Sequence, residues 1–193
     1  MKNTSLVAKR IIDIVFALVA SGLLLVVFLV IAALIKCTSR GPVLHWSERT
    51  GQFNRTFCMP KFRTMCINTP VVAAHLLDDP ARYLTPVGRF LRKTSLDELP
   101  QLWCIVTGDM SLVGPRPVVL EEQDLIKLRT EKDVHQLRPG LTGWAQVNGR
   151  DALDIITKVR FDEEYLQMFS LKSDFKIILL TVLKVLRCED VSH

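Results

Sequence analysis

Several absences narrow what this 193-residue chain is. Its five cysteines (Cys37, Cys58, Cys66, Cys104 and Cys188) are odd in number and form no Cys-x-x-Cys pair, and none of the four histidines sits at zinc-site spacing with them. Both features argue against a disulfide framework and a structural zinc, and a reducing compartment fits better. No phosphate-binding P-loop and no Gly-x-Gly-x-x-Gly occurs, so nucleotide binding by those two routes has no support. Internal repeats and low-complexity tracts are missing as well. The excess of positive charge is small, 25 Lys and Arg against 20 Asp and Glu for +5. That suits an anionic substrate or anionic lipid, whereas nucleic acid asks for a denser basic and aromatic face. One ordinary domain is what the length accommodates.

Apolar residues are plentiful: 49% of the chain, with a mean hydropathy of +0.24. From Ile14 to Ile35 they run for 22 residues, broken only by Ser21 and Gly22. As a helix this run is about 33 Å long, enough to cross a bilayer core. It is too long for a signal-peptide core, and Lys36 and Cys37 follow it instead of a small-x-small cleavage site. Lys2, Lys9 and Arg10 precede the run, and Lys36, Arg40, Arg49 and Arg55 follow it. If positive flanks stay cytoplasmic, both ends want one side. A straight span satisfies one end; a helix that bends near Ser21-Gly22 and returns satisfies both. A single-pass anchor remains the plainer reading of the run alone.

Past a Gly/Pro linker, Gly51 and Asn54 predict a hairpin over 44–64, with Pro60 demoting its second strand to an edge. One apolar helical turn is expected at Val71–Leu77. Thr85-Pro86 starts a helix running to about Lys93, and another runs from Asp97 to Gly108. Val118 to Gln136 reads as helical. Turns at Arg138-Pro139-Gly140 and Asn148-Gly149 frame a short stretch at Thr142–Val147. Ala152, Ile155, Ile156 and Val159 keep helical spacing. Ser173 caps a last amphipathic helix over 174–187, which either packs as core or lies in a membrane interface.

Chemistry-bearing residues cluster in four places. Asp97-Glu98 falls at a helix N-terminus, where Pro100 is tolerated and the dipole favours ionised carboxylates. Ser95-x-x-Glu98 equally fits a capping box. Arg89, Arg92 and Lys93 lie within two turns, so the pair either holds a metal-bound phosphate or forms a salt-bridge cluster. Lys61 and Arg63 form a second basic site. Arg116, between Pro115 and Pro117, is a third, its guanidinium fixed by a stiff backbone. Arg138 and Arg150 frame the fourth, with Gln146 and Asn148 as hydrogen-bonding groups and Trp144 as either a stacking surface or core.

Taken in order, five motifs resemble the bacterial sugar transferases, the monotopic polyprenyl-phosphate phosphoglycosyl transferases in their short form. They are Lys9-Arg10-x-x-Asp13, Lys61-Phe62-Arg63-Thr64-Met65, Ser95-Leu96-Asp97-Glu98-Leu99-Pro100-Gln101-Leu102, the run from Gly108 to Pro117 and the run from Arg138 to Arg150. The resemblance covers almost the entire chain. It implies an α+β, mostly helical fold: a membrane-inserted, re-entrant helix over 1–36 and a catalytic domain over 37–193 with interfacial amphipathic helices and a small β-hairpin. It also implies transfer of a sugar-1-phosphate from a UDP-sugar to polyprenyl (undecaprenyl) phosphate. In that scheme Asp97 attacks the β-phosphate, UMP leaves, and an aspartyl phosphosugar passes to the lipid. Glu98 is associated with Mg²⁺, and Lys61, Arg63, Arg92, Arg116, Arg138, Gln146 and Arg150 become candidate substrate contacts. The implied location is the cytoplasmic face of the bacterial inner membrane, at the first membrane step of capsule, exopolysaccharide, O-antigen or glycoprotein assembly. A homo-oligomer is compatible with this, and a nucleic-acid partner is not expected. A catalytically silent membrane scaffold is the alternative, although it has no need of Asp97, Glu98 or Arg116. Three departures stand out: no Ser-Pro breaks the membrane helix, Pro60 stands where Tyr is usual, and Cys104 stands where Asn is usual.

Overall fold

The computed structural model describes residues 3–69, 80–149 and 152–187; the turn expected at Val71–Leu77 and the side chain of Arg150 lie outside them. The fold is α+β and mostly helical. The apolar run is divided between two helices, α1 (Asn3–Leu23) and α2 (Leu25–Thr38), bent by 60° at Leu24. Leu24 keeps both its backbone bonds, to Ala20 O and from Phe28 N, each 2.9 Å, so the chain bends without a proline and without breaking the ladder there. A Cβ on Gly22 would meet nothing within 4 Å; packing does not demand that glycine. Among the described residues no single helix is long and apolar enough to cross a membrane, and only the bent pair qualifies jointly.

The first turns of α1 are built into the globular body. Arg10 donates to Ile105 O (2.7 Å) and Val106 O (3.1 Å), supplying positive charge to unpaired carbonyls at the end of α4 (Leu102–Thr107). Asp13 accepts from Ser111 Oγ (2.7 Å) and Leu112 N (3.3 Å). Farther along, Ala17 is buried in the main core, while Ile31 and Ile35 pack against Phe62 and Leu91. The remaining faces, including Phe16, Val19, Leu23 and Val26, are uncovered.

Strands β1 (Leu44–Thr50) and β2 (Thr56–Phe62) form the expected hairpin, in register from Leu44↔Phe62 to Thr50↔Thr56. Phe53 and Asn54, at φ +56° and +58°, carry the reversal. A short β4 (Val118–Val119) pairs with the other side of β1, which leaves β2 at the edge, where the missing N–H of Pro60 is harmless. Helix α3 (Gly88–Lys93) starts as predicted, with Thr85 Oγ1 accepting from Gly88 N at 3.0 Å.

The single helix expected over 118–136 is not formed. Val118 and Val119 are drawn into the sheet, α5 covers only Gln123–Glu131, and Asp133 at φ +60° turns the chain. Strand β3 (Ser111–Val113) runs parallel to β5 (Gly140–Thr142). Here two motifs cross: Gly114 N donates to Thr142 O and Gly140 N to Pro115 O, both 2.9 Å. A Cβ at Gly114, Gly140 or Gly143 would strike the opposing backbone, so those glycines are a requirement of close approach.

Helix α6 (Trp144–Val147) follows, and α7 (Ile155–Gln167) is capped by Asp154 Oδ1, which accepts from Thr157 N at 2.8 Å. The last helix, α8, begins at Leu171 and not at Asp174. Ser170 holds its first turn by accepting from Ser173 N, and Asp174 lies inside the helix, turned toward the core. Trp144 packs against that core, donating to Glu164 Oε2 (2.9 Å) with Lys176 over its ring at 5.2 Å.

Candidate active site

Asp97 and Glu98 stand in a single 3-10 segment, Leu96–Gln101, that leads into α4. The expected α-helical N-terminus is corrected by its entry: Ser95 sits at φ +55° and makes no side-chain cap. The capping-box reading therefore fails, and the two carboxylates are not explained as ordinary helix-start acids. Pro100 lies within the segment and cannot donate a backbone bond, which favours a short, tight helix over an α-helical start.

Around the pair the fold gathers cations from three elements and a loop. Lys61, near the end of β2, places Nζ 2.9 Å from Glu98 Oε1. Arg116 approaches the same oxygen with Nη2 at 3.4 Å. Arg92, on α3, is tethered by Nε to Thr64 Oγ1 at 3.2 Å, and its charge is felt at Asp97. Arg49 of β1 is the fourth. Burial, then the neighbouring Arg116, lowers its pKa, while Glu122, Glu121 and Glu98 act the other way. Sequence reasoning missed Arg49. The hairpin register could have found it, since cross-strand partners share a face and the pairs Arg49↔Phe57 and His45↔Lys61 are four residues apart.

Asp97 is 7% exposed. Burial, then the adjacent Glu98 charge, pushes its pKa up to about 6, with Lys61 and Arg92 pulling the other way. Burial here opposes the helix-dipole preference for the ionised form expected from the sequence. At pH 7 a group of pKa about 6 is still mostly a carboxylate, and a desolvated one is a more reactive base and nucleophile than a hydrated one.

Other predicted residues go elsewhere. Arg63 is buried and donates to Ser39 O (3.1 Å), Ser39 Oγ (2.7 Å) and Arg40 O. It closes the end of α2 over Gly41, whose φ of +118° and contact with the guanidinium suit only glycine. Arg138 lines a separate cavity with Lys9, Arg10 and Asp13, and its Nε is buried without a partner. Gln146 is buried with both amide atoms unpartnered, against the Gly143 crossing. Cys104 is core: burial pushes its thiol up to about 12, so it stays protonated, 3.7 Å from Cys58 O.

Two further charged residues were not foreseen. Arg129 of α5 and Asp162 of α7 form a buried ion pair. Each lies on an apolar stripe, Arg129 four residues after Leu125 and Asp162 three after Val159. A charge on a buried stripe is the signal for such a pair.

Among the described residues no three His, Cys, Asp or Glu side chains converge as a metal site. The protein alone thus offers no divalent-ion cage. A magnesium ion that shares substrate phosphates needs only one or two carboxylates, and Asp97-Glu98 fits that requirement.

A buried carboxylate thus stands beside a cluster of cations on an α+β body that carries a bent apolar arm. The model for bacterial sugar transferases matches residues 4–188, and the chain belongs to that family. It is 39% identical over 190 residues to an uncharacterized sugar transferase, EpsL, of Bacillus subtilis, covering 97% of this chain and 92% of that one. It is 41% identical over 185 residues to the UDP-glucose:undecaprenyl-phosphate glucose-1-phosphate transferase of Escherichia coli (91% of this chain, 39% of the relative). It is 38% identical over 187 residues to the UDP-N-acetylgalactosamine-undecaprenyl-phosphate N-acetylgalactosaminephosphotransferase of Aeromonas hydrophila (92% and 43%). The latter two relatives are thus more than twice as long as the region they share with it.

Proposed function

We propose that the protein transfers a sugar-1-phosphate from a UDP-sugar to polyprenyl phosphate, in two displacements at Asp97. The observation that carries this reading is the buried Asp97 carboxylate next to Glu98, with Lys61, Arg92, Arg116 and Arg49 around them. An Asp97 oxygen attacks the β-phosphorus of the donor. The bond from that phosphorus to the oxygen bridging to the α-phosphate breaks, and UMP departs with the electron pair. A phosphate oxygen of the polyprenyl acceptor then attacks the same phosphorus and releases Asp97. Anionic nucleophile and diphosphate repel one another, and Lys61 and Arg116 offset that repulsion. Glu98 is the residue that would hold Mg²⁺, which when bound with the donor supplies further charge neutralisation.

The membrane arm serves the acceptor. Bent by 60°, α1 and α2 can each incline about 30° to the membrane plane, putting the apex roughly 10 Å deep for a 14-residue arm at 1.5 Å per residue. Such a re-entrant arm enters one leaflet and returns both basic flanks to the cytoplasmic side. On α8, Phe175, Leu179, Val182 and Leu183 form an exposed stripe at helical spacing, with Lys172, Lys176 and Lys184 on the same helix, a composition suited to lying in an anionic interface. Donor sugar differs between the relatives, so the sugar is to be found by assay. Detergent-solubilised protein offered a panel of UDP-sugars with undecaprenyl phosphate should release UMP from one donor, dependent on Mg²⁺ and lost in Asp97→Asn. Silence across the panel from folded protein would favour the scaffold instead.

A further inference from the structure

Arg116 brings its guanidinium to Glu98 from a proline-flanked loop whose first residues are tied to the second motif by Gly114 N to Thr142 O and Gly140 N to Pro115 O, both 2.9 Å. Pro115 and Pro117 remove two backbone donors, and a small hollow open to solvent lies beside the loop, lined by Arg116, Arg129, Thr50 and His135. At the Arg116 carbonyl itself the polar contact comes from Arg129. Its Nε and Nη2 both donate to Asp162 Oδ2, at 2.9 and 2.7 Å, and this fork leaves Nη1 aimed at Arg116 O, 2.8 Å away. Arg129 is 9% and Asp162 1% exposed, so neither competes with water.

We infer that Arg129, clamped by Asp162, is a positioning residue for Arg116: it fixes the backbone of the proline-flanked loop so that the Arg116 side chain reaches the Glu98 cluster. The inference rests on the reading of Arg116 as a donor-phosphate contact. A guanidinium is required because it must donate along two directions at fixed angles; an ammonium on a flexible stem can neutralise Asp162 but cannot hold both partners in that geometry. The plainer alternative is that Arg129–Asp162 only staples α5 to α7.

The test is Arg129→Lys, which keeps a cation for Asp162, with Arg129→Gln as a second variant of similar reach. If Arg129 acts through Arg116, Arg129→Lys raises KM for the UDP-sugar and lowers donor kcat/KM by about 10–100-fold, and leaves KM for polyprenyl phosphate within about twofold. The loss should also vanish in an Arg116→Ala background, since one interaction cannot be removed twice. Independently of activity, hydrogen exchange in the peptide spanning 114–119 should speed up in Arg129→Lys and Arg129→Gln while α7 stays protected. Additive losses, equal damage to both substrates, or unchanged exchange over 114–119 would each overturn the proposal. Wild-type protein that releases no UMP would overturn the proposed reaction instead, and the exchange measurement would still decide this one.

Discussion

Two of the places where the molecule buries carboxylates among cations are built oppositely. Under the bent N-terminal arm, Asp13 and Asp174 are fully answered. Lys9 Nζ lies 2.7 Å from Asp174 Oδ2 and donates to Val113 O at 3.2 Å; Tyr165 donates to Asp174 Oδ1 at 2.6 Å; Ser111 and Leu112 supply Asp13. Burial, then Asp174, pushes the Tyr165 phenol up, so it remains a donor. At the other site Glu98 takes Lys61 and Arg116, while among the described residues no side-chain donor reaches the Asp97 carboxylate. The first cluster ties α1, β3, α7 and α8 together. The second leaves one carboxylate desolvated beside Lys61 and Arg92, as expected where a substrate binds.

That contrast sets the sizes of the expected effects. Asp97→Asn should cost turnover by about 10³-fold or more, as for loss of a covalent nucleophile. Unusually for a buried site, the same variant should be more stable than wild type in EDTA at pH 7. The native state raises the Asp97 pKa from 3.8 to about 6. Ionising it therefore weakens folding increasingly above pH 4, and fully above pH 6, by at most about 1–3 kcal/mol. Thermal melts should show the advantage at pH 7 and none at pH 4. Asp174→Ala should do the reverse. It removes the nearer partner of buried Lys9, leaving Asp13 at 3.8 Å, and should lower stability by about 3 kcal/mol, read by denaturant midpoint.

Smaller effects sharpen the comparison further. Lys61→Met should reduce donor kcat/KM by about 10²-fold with little change in melting temperature, because one fixed cation is removed from the reacting phosphate. The pH profile of the first displacement should fall as pH drops through about 6, where Asp97 takes up its proton. Gly22→Ala should change almost nothing in stability or activity, since the bend sits at Leu24 and Gly22 touches no neighbour.

Much of this was legible in the chain because it is local. Gly51, Asn54 and Pro60 gave the hairpin and its edge strand, and Thr85 gave the start of α3. The proximity of Asp97 and Glu98 is covalent, and Lys61 and Arg116 were singled out by their motifs before they met at Glu98. What escaped depends on long-range packing. Val118 and Val119 left a helical pattern because β1 offered them a ladder. Ser95 gave up its cap for a positive φ that turns the 3-10 segment. Asp97 was read by helix dipole when burial, which no spacing reveals, sets its pKa. Arg63 looked like a ligand contact by charge and is spent on the end of α2. Arg129 and Asp162 were visible only as charges on apolar stripes.

The central claim is that Asp97 takes the phosphosugar onto itself before any lipid is engaged. Intact-mass and peptide mass spectrometry of the protein, mixed with its UDP-sugar and Mg²⁺ but no polyprenyl phosphate, tests this most directly. An adduct with the mass of a sugar phosphate is expected on the peptide carrying Asp97, formed together with UMP and absent in Asp97→Asn. UMP that appears only once polyprenyl phosphate is added, with no adduct at any stage, would contradict it and make the transfer a single direct displacement.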